Sequence, residues 1–168
     1  MSTENALALG RFTIQCFDKD GNLKWEDENH NLVVNGGLQY LAGSALTATT
    51  QITSWYIGLY GAGASNTPAA ADTLASHAGW TEVTAYSGTR KLVTWTAATA
   101  ANPSVAASSA AVSFTMNATT TVGGAFLCSA TSGTSGTLFS AADFQSPGDR
   151  SVVSGDVLNV SYSLSVSG

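Results

Sequence analysis

Acid–base chemistry near neutral pH calls for a histidine or a pair of carboxylates, and this chain offers few of either. It has two histidines. His30 stands between an acidic run and the apolar stretch Leu32-Val33-Val34, where a polar contact within a hairpin accounts for it. His77 precedes Ala78-Gly79-Trp80 at the end of a short helical candidate over 68–77, and reads as a cap on that helix. A hydrolytic triad needs a nucleophile, a base and a group to orient the base, and neither histidine anchors one. Neither a G-x-S-x-G elbow nor an H-E-x-x-H zinc pair occurs.

The carboxylates Glu26, Asp27 and Glu28 are consecutive, which raises the question of a glycosidase pair. Successive residues of a strand point to opposite faces, so the run reads instead as a charged edge that deters sheet pairing. Asp18-Lys19-Asp20-Gly21 matches the opening D-x-D-G of a calcium loop, but Glu28 falls at position 11 counted from Asp18, not 12. A hairpin turn is the expected structure there. Gly61-Ala62-Gly63-Ala64-Ser65-Asn66 begins like a phosphate cradle and lacks the later glycine, the lysine and the following helix, so it reads as a loop. Cys16 and Cys128 are too few and too far apart for a disulfide framework or a metal site, and are expected as buried free thiols. No cofactor and no metal are expected.

The four tryptophans are spread along the chain rather than grouped as a sugar platform. Trp55 and Trp95 are expected in the core. Trp25 and Trp80 are expected at a semi-exposed surface, where each could anchor a protein interface.

The composition narrows the classes further. Of 168 residues, 26 Ala, 17 Gly, 21 Ser and 21 Thr make up half. Only 10% are charged, while 44% are hydrophobic, the reverse of a disordered chain. This length supports one sizeable core, so 1–168 is expected as a single domain. A net charge of −5 and a pI near 4.6 leave no cationic footprint for phosphates, which argues against nucleic-acid binding. No window approaches 18 continuous apolar residues, and MSTENALALG has no basic region leading into an apolar stretch. The chain is expected to be soluble, without a leader or membrane span.

The elements that must position these residues follow from periodicity. Nine of the 17 charges fall within the first 30 residues. Residues 11–18 (RFTIQCFD) alternate, and after the polar tetrad a second run over 22–26 completes a hairpin; 30–34 (HNLVV) reads as a third strand. Leu38, Leu41, Ala42 and Ala45 then recur at helical spacing, which predicts a short helix over 37–46. Beyond it the period becomes two. In 54–60 (SWYIGLY), Trp55, Ile57 and Leu59 face one way and Tyr56, Gly58 and Tyr60 the other. Further strands are predicted at 81–85, 91–96, 111–116, 121–129, 137–140, 151–153 and 156–166, whereas 96–109 is Ala/Ser/Thr-rich but too brief to count as an independent disordered linker. The expected fold is all-β, an antiparallel β-sandwich. It divides into an arm and hairpin at 1–34, a short helix and linker at 35–50, and a sandwich body at 51–168.

The segments FTIQCFDKDGNLKWEDENHNLVVNGGLQYL, SWYIGLYG, ADTLASHAGWTEVTAYSGTRKLVTW, VGGAFLCSATSGTSGTLFSAADF and GDVLNVSYSLSVS resemble a family of small structural proteins of tailed bacteriophages. Its members are variously labelled cement, head decoration or tail-fibre-like protein. The likeness runs over residues 10–166. It implies a jelly-roll type of sandwich on the outer capsid surface, bound to the major capsid protein and made in the host cytoplasm without a signal peptide. It also implies no enzymatic activity and self-association into dimers or trimers; the alternative is a tail-fibre or baseplate protein that recognises a host receptor. Only surfaces carry over. The hairpin 18–28, with Asp18, Asp20, Trp25 and Glu26, and the loop 71–86, with Trp80 and Glu82, are the expected partner contacts.

Overall fold

The computed structural model describes residues 7–61, 67–101, 104–144 and 148–167. The opening hairpin pairs β1 (Leu7–Phe17) with β2 (Leu23–His30), both longer than the periodicity marked out. On the other side of β1 lies the last strand, β14 (Val157–Ser167), antiparallel along its whole length from Leu7 opposite Ser167 to Phe17 opposite Val157. The far edge of β14 is shared: β9 (Val112–Thr115) takes its first half and β8 (Ser104–Ser108) its second, with β7 (Thr99–Ala101) added outside β8.

The second sheet runs β3 (Leu32–Val33), β12 (Leu138–Asp143), β11 (Gly124–Cys128), β4 (Tyr56–Gly61) and β5 (Thr81–Val83), with β6 (Lys91–Leu92) also on β4. A small ladder joins β10 (Thr120–Val122) to β13 (Arg150–Val152). Every pairing between named strands is antiparallel, and the fold is an all-β sandwich. Its main core lies between the sheets. Phe12, Ile14, Phe114, Leu158, Val160 and Tyr162 come from the first sheet, and Ile57, Leu59, Ala125, Leu127, Phe139 and Ala142 from the second.

Three expectations change. The strand predicted over 121–129 breaks at Gly123 into β10 and β11, because the chain leaves β13 there to enter the second sheet: Gly123 donates to Tyr60 O and accepts from Phe144. The Ala/Ser/Thr stretch holds the hairpin β7–β8. The helix proposed at 68–77 is absent; turns and bends run there instead.

The helix that does form, α1 (Asn35–Leu46), starts two residues earlier than its periodicity suggests and packs against β12. A Cβ on Gly37 would collide with the Phe139 carbonyl, so this glycine lets the helix lie directly on the strand.

Both faces of the second sheet are buried. Trp55, Ile57 and Leu59 face the main core. Tyr60, Phe126, Cys128, Leu138 and Ala141 face outward into a second cluster, which the chain closes over itself with Leu74 and Trp80. The alternation along 54–60 is as read from the sequence, but its second face is apolar and covered rather than solvated.

Candidate interaction surface

The hairpin tip is fixed by its own side chains. The carboxylate of Asp18 accepts the backbone N–H groups of Asp20 and Asn22 at 2.9 Å each, and the Asn22 amide at 3.0 Å. These bonds, that from the Asn22 side chain first, hold the Asp18 carboxyl below its usual range. Gly21 supplies the left-handed residue of the turn at φ 85°, and Lys19 pairs with Asp20 at 2.8 Å. The oxygens that a calcium loop would offer a cation are thus occupied by the turn.

Further along β2 the charges alternate as expected of a strand. Glu26 and Glu28 face outward, with Glu28 on Arg11 at 2.8 Å and Glu26 accepting from Gln15 at 3.4 Å. Asp27 turns inward and pairs with Arg150 at 2.9 Å, both side chains largely buried. Trp25 packs edge-on against Phe144 with ring centroids 5.8 Å apart, and the Arg150 guanidinium lies 5.1 Å over its ring. It is half-buried and holds the hairpin to the body. Lys24 reaches the buried Asp156 at 2.6 Å, and that hydrogen bond raises its pKa.

The loop 71–86 is organised differently. Trp80, expected at a semi-exposed surface, is 4% exposed. Its ring is sandwiched: His77 stacks on it at 3.7 Å, and Tyr60 and Phe126 meet it at 4.9 and 5.3 Å. Its indole N–H donates to Asp72 at 3.2 Å, and Asp72, itself buried, also accepts from the Ala69 N–H at 3.0 Å. With no helix at 68–77, His77 is not a cap. It pins Trp80, and since its Nδ1 lies 3.0 Å from the Trp80 carbonyl, which can only accept, that nitrogen carries the proton.

Glu82 is held as tightly. Arg90 clasps it with two bonds of 2.7 Å and donates also to Gly133 O at 2.7 Å and Ala130 O at 3.1 Å, its guanidinium 5.2 Å over Phe126. Arg90 is 6% exposed, a buried cation that no motif in the sequence announced. Cys16 and Cys128 are buried free thiols, as expected; burial raises the pKa of Cys128, which neighbours Arg90, and pushes Cys16 up to about 11.

His30 is exposed beside Arg11 in the register and brings no second catalytic group with it. A groove of about 570 Å³ between β5 and β10 is lined by Gly61, residues 81–85, Thr120 and Thr121, where Glu82 is the one ionisable group and is already committed to Arg90. The glycine-rich loop at 62–66 and the arm at 1–6 lie outside the described residues. Among the described residues no group of three His, Cys, Asp or Glu could hold a metal ion, and no helix is long and apolar enough to cross a membrane. Trp55 is core as expected, whereas Trp95 is half-buried, its ring edge-on to Tyr162 at 6.1 Å.

The expected contact residues therefore separate. Asp20 and Glu26 are exposed on the hairpin, with Asp18 partly so, while Trp80 and Glu82 are locked into the body. Fold and side chains together define an antiparallel all-β sandwich with a polar hairpin at one end. No protein-family model, curated protein or solved structure matches the chain.

Proposed function

We propose that the protein is a structural component of a tailed-bacteriophage virion, a cement or decoration protein that sits on the outer surface of the major capsid protein lattice and stabilises the head. The proposal includes the jelly-roll winding that the resemblance implies. Besides that resemblance, one observation carries it: the six basic side chains are all engaged within the chain, by ion pairs or, for Lys91, by the Ser87 carbonyl and the Tyr86 ring. Lys24, Arg90 and Arg150 are engaged against buried or largely buried groups and tie the scaffold together, which leaves a surface of Ser, Thr and acids for a partner.

A protein that binds the assembled lattice but not its free subunits stabilises the lattice by mass action. Symmetry repeats each contact over the shell, so modest individual affinity suffices. The hairpin tip, with Asp18, Asp20 and Glu26, is the proposed point of contact, and Trp25 acts beneath it by holding its angle to the body.

The test is to add purified protein to expanded shells that lack it. Saturable binding and a higher disruption temperature are expected, with binding reduced by Asp20→Lys and Glu26→Lys. Failure to bind such shells overturns the reading. Binding to tails or to host cell surfaces instead supports the tail-fibre or baseplate alternative.

A further inference from the structure

Helix α1 buries little of itself. Gly37, Tyr40 and Leu41 face the body, Tyr40 edge-on to Trp55 at 5.2 Å. A second stripe, Leu38, Ala42, Ala45 and Leu46, stands at i, i+4, i+7 and i+8 and is exposed, Leu38 by 46% and Leu46 by 84%. That spacing ordinarily marks the buried side of a helix. Nor does charge keep this face in water: α1 has no acidic or basic residue at either end, and no Asp, Glu, Lys or Arg occurs between Glu28 and Asp72.

The neighbourhood is apolar too. Tyr40 and Leu41 share a cleft of about 180 Å³ with Trp95, Ala107, Tyr162 and Leu164. Two residues beyond Leu164, Val166 is 40% exposed. Exposed apolar surface without charge is the composition of an interface core.

We infer that this face is where two copies of the chain associate, their α1 helices antiparallel about a two-fold axis near Ala42. Ala42 lies midway between Leu38 and Leu46, so an antiparallel pair sets Leu38 of one copy against Leu46 of the other, twice, with Ala42 and Ala45 allowing the axes to approach. The stripe is its own complement. A partner recruited by charge finds nothing here to pair with, whereas a second copy brings the same uncharged surface in the reversed order. The cleft lies at the level of Gly10 and Leu164, and the acidic hairpin tip begins eight residues further on at Asp18, roughly 26 Å away along the strand. The helix is only about 18 Å long, so the contact is of the small, transient class below about 1,200 Å². This inference does not rest on the capsid reading.

Analytical ultracentrifugation over roughly 5–500 µM reads it directly, in the range where so small a contact associates. A reversible monomer–dimer equilibrium is expected. Leu46→Glu and Leu38→Lys should each weaken it at least about tenfold, with melting curves unchanged because both side chains are exposed. The double variant Leu38→Lys/Leu46→Glu should recover the dimer, since each lysine then meets a glutamate across the axis; a parallel pair would set like charges together. A chain that stays monomeric throughout, a dimer indifferent to Leu46→Glu, or a double variant that fails to recover overturns the inference. A monomeric wild type whose shell binding is lost in Leu46→Glu overturns it as well, by assigning the face to the shell.

Discussion

The outer faces of the two sheets are built on opposite plans. On the first sheet the outward residues of β1 and β14 include Thr13, Gln15, Asn159, Ser161 and Ser163, polar side chains that are exposed or half-buried. On the second, Tyr60, Phe126 and Ala141 point outward and are sealed under Leu74 and Trp80. One sheet is half-buried and one is fully buried, within a single sandwich. What this teaches is where stability resides: the covered face adds a second core, and the bare face contributes little beyond its backbone ladder.

The comparison breaks most visibly if the cover is removed. Trp80→Ala should cost about 3–5 kcal/mol, the loss for a buried aromatic, and it also leaves the buried Asp72 without its indole donor. For a chain of this size that lowers Tm by roughly 6–20 °C. Differential scanning calorimetry checks it, and a loss below about 1 kcal/mol would mean that the loop lies on the sheet without sealing it.

The salt bridge that anchors the same side comes next. Glu82→Gln removes the charge that compensates Arg90, the cation buried against Phe126. A fully buried pair broken in this way costs about 3–5 kcal/mol; Glu82 keeps a quarter of its side chain in water, so about 2–3 kcal/mol is expected. Urea denaturation gives the value. The double change Glu82→Leu/Arg90→Met should recover part of it, because it leaves no stranded charge.

The sequence made the bare sheet legible and the covered one only partly so, for a physical reason. Phe12, Ile14 and Cys16 alternate with exposed or half-buried partners, and so do Leu158, Val160 and Tyr162, because water lies on one side of that sheet. In β11 every residue from Gly124 to Cys128 is buried, and a strand buried on both faces shows no period. In the sequence the cover reads as a short helix with His77 as its cap, and the structure has neither. What orders 68–80 is a set of contacts from Asp72, Leu74, His77 and Trp80 to strands distant in sequence, and local spacing carries no trace of them. The hairpin β7–β8 went unseen because Ala, Ser and Thr give no contrast between faces. At the hairpin tip, Asp18 to Asn22 was legible because its turn chemistry is local.

On the edge of the bare sheet, one ion pair supplies a pH-dependent test. Lys24 is raised above its ordinary pKa chiefly by its hydrogen bond to Asp156. A group whose folded pKa is raised contributes fully below its unfolded pKa, about 10.4, and loses that contribution as pH rises through the folded value. Lys24→Met should therefore cost about 1–2 kcal/mol near neutral pH, reduced from the fully buried figure because Lys24 is one-third exposed. On the alkaline side, the difference between wild type and variant should hold up to about pH 10.4 and shrink above it. Urea midpoints at successive pH values check this, and a gap already closing between about pH 6 and 9 would give the pair's pH dependence to another group.

The smallest expected effect sharpens the comparison most. Ser161 and Ser163 lie on the outward face of β14, opposite Thr13 and Arg11, and neither packs into a core cluster. Replacing either by Ala removes a hydroxyl at a half-buried outward position and opens no cavity in a core cluster, so the change in stability should stay within about 0.5 kcal/mol. If the two substitutions together moved the urea midpoint by the equivalent of more than about 1 kcal/mol, the bare face would be holding the fold after all, through a hydroxyl network along the sheet. An effect within the expected range leaves these serines free of any part in folding. They then become the positions where a bulky side chain can be added to ask what the bare face touches, without disturbing the sandwich beneath.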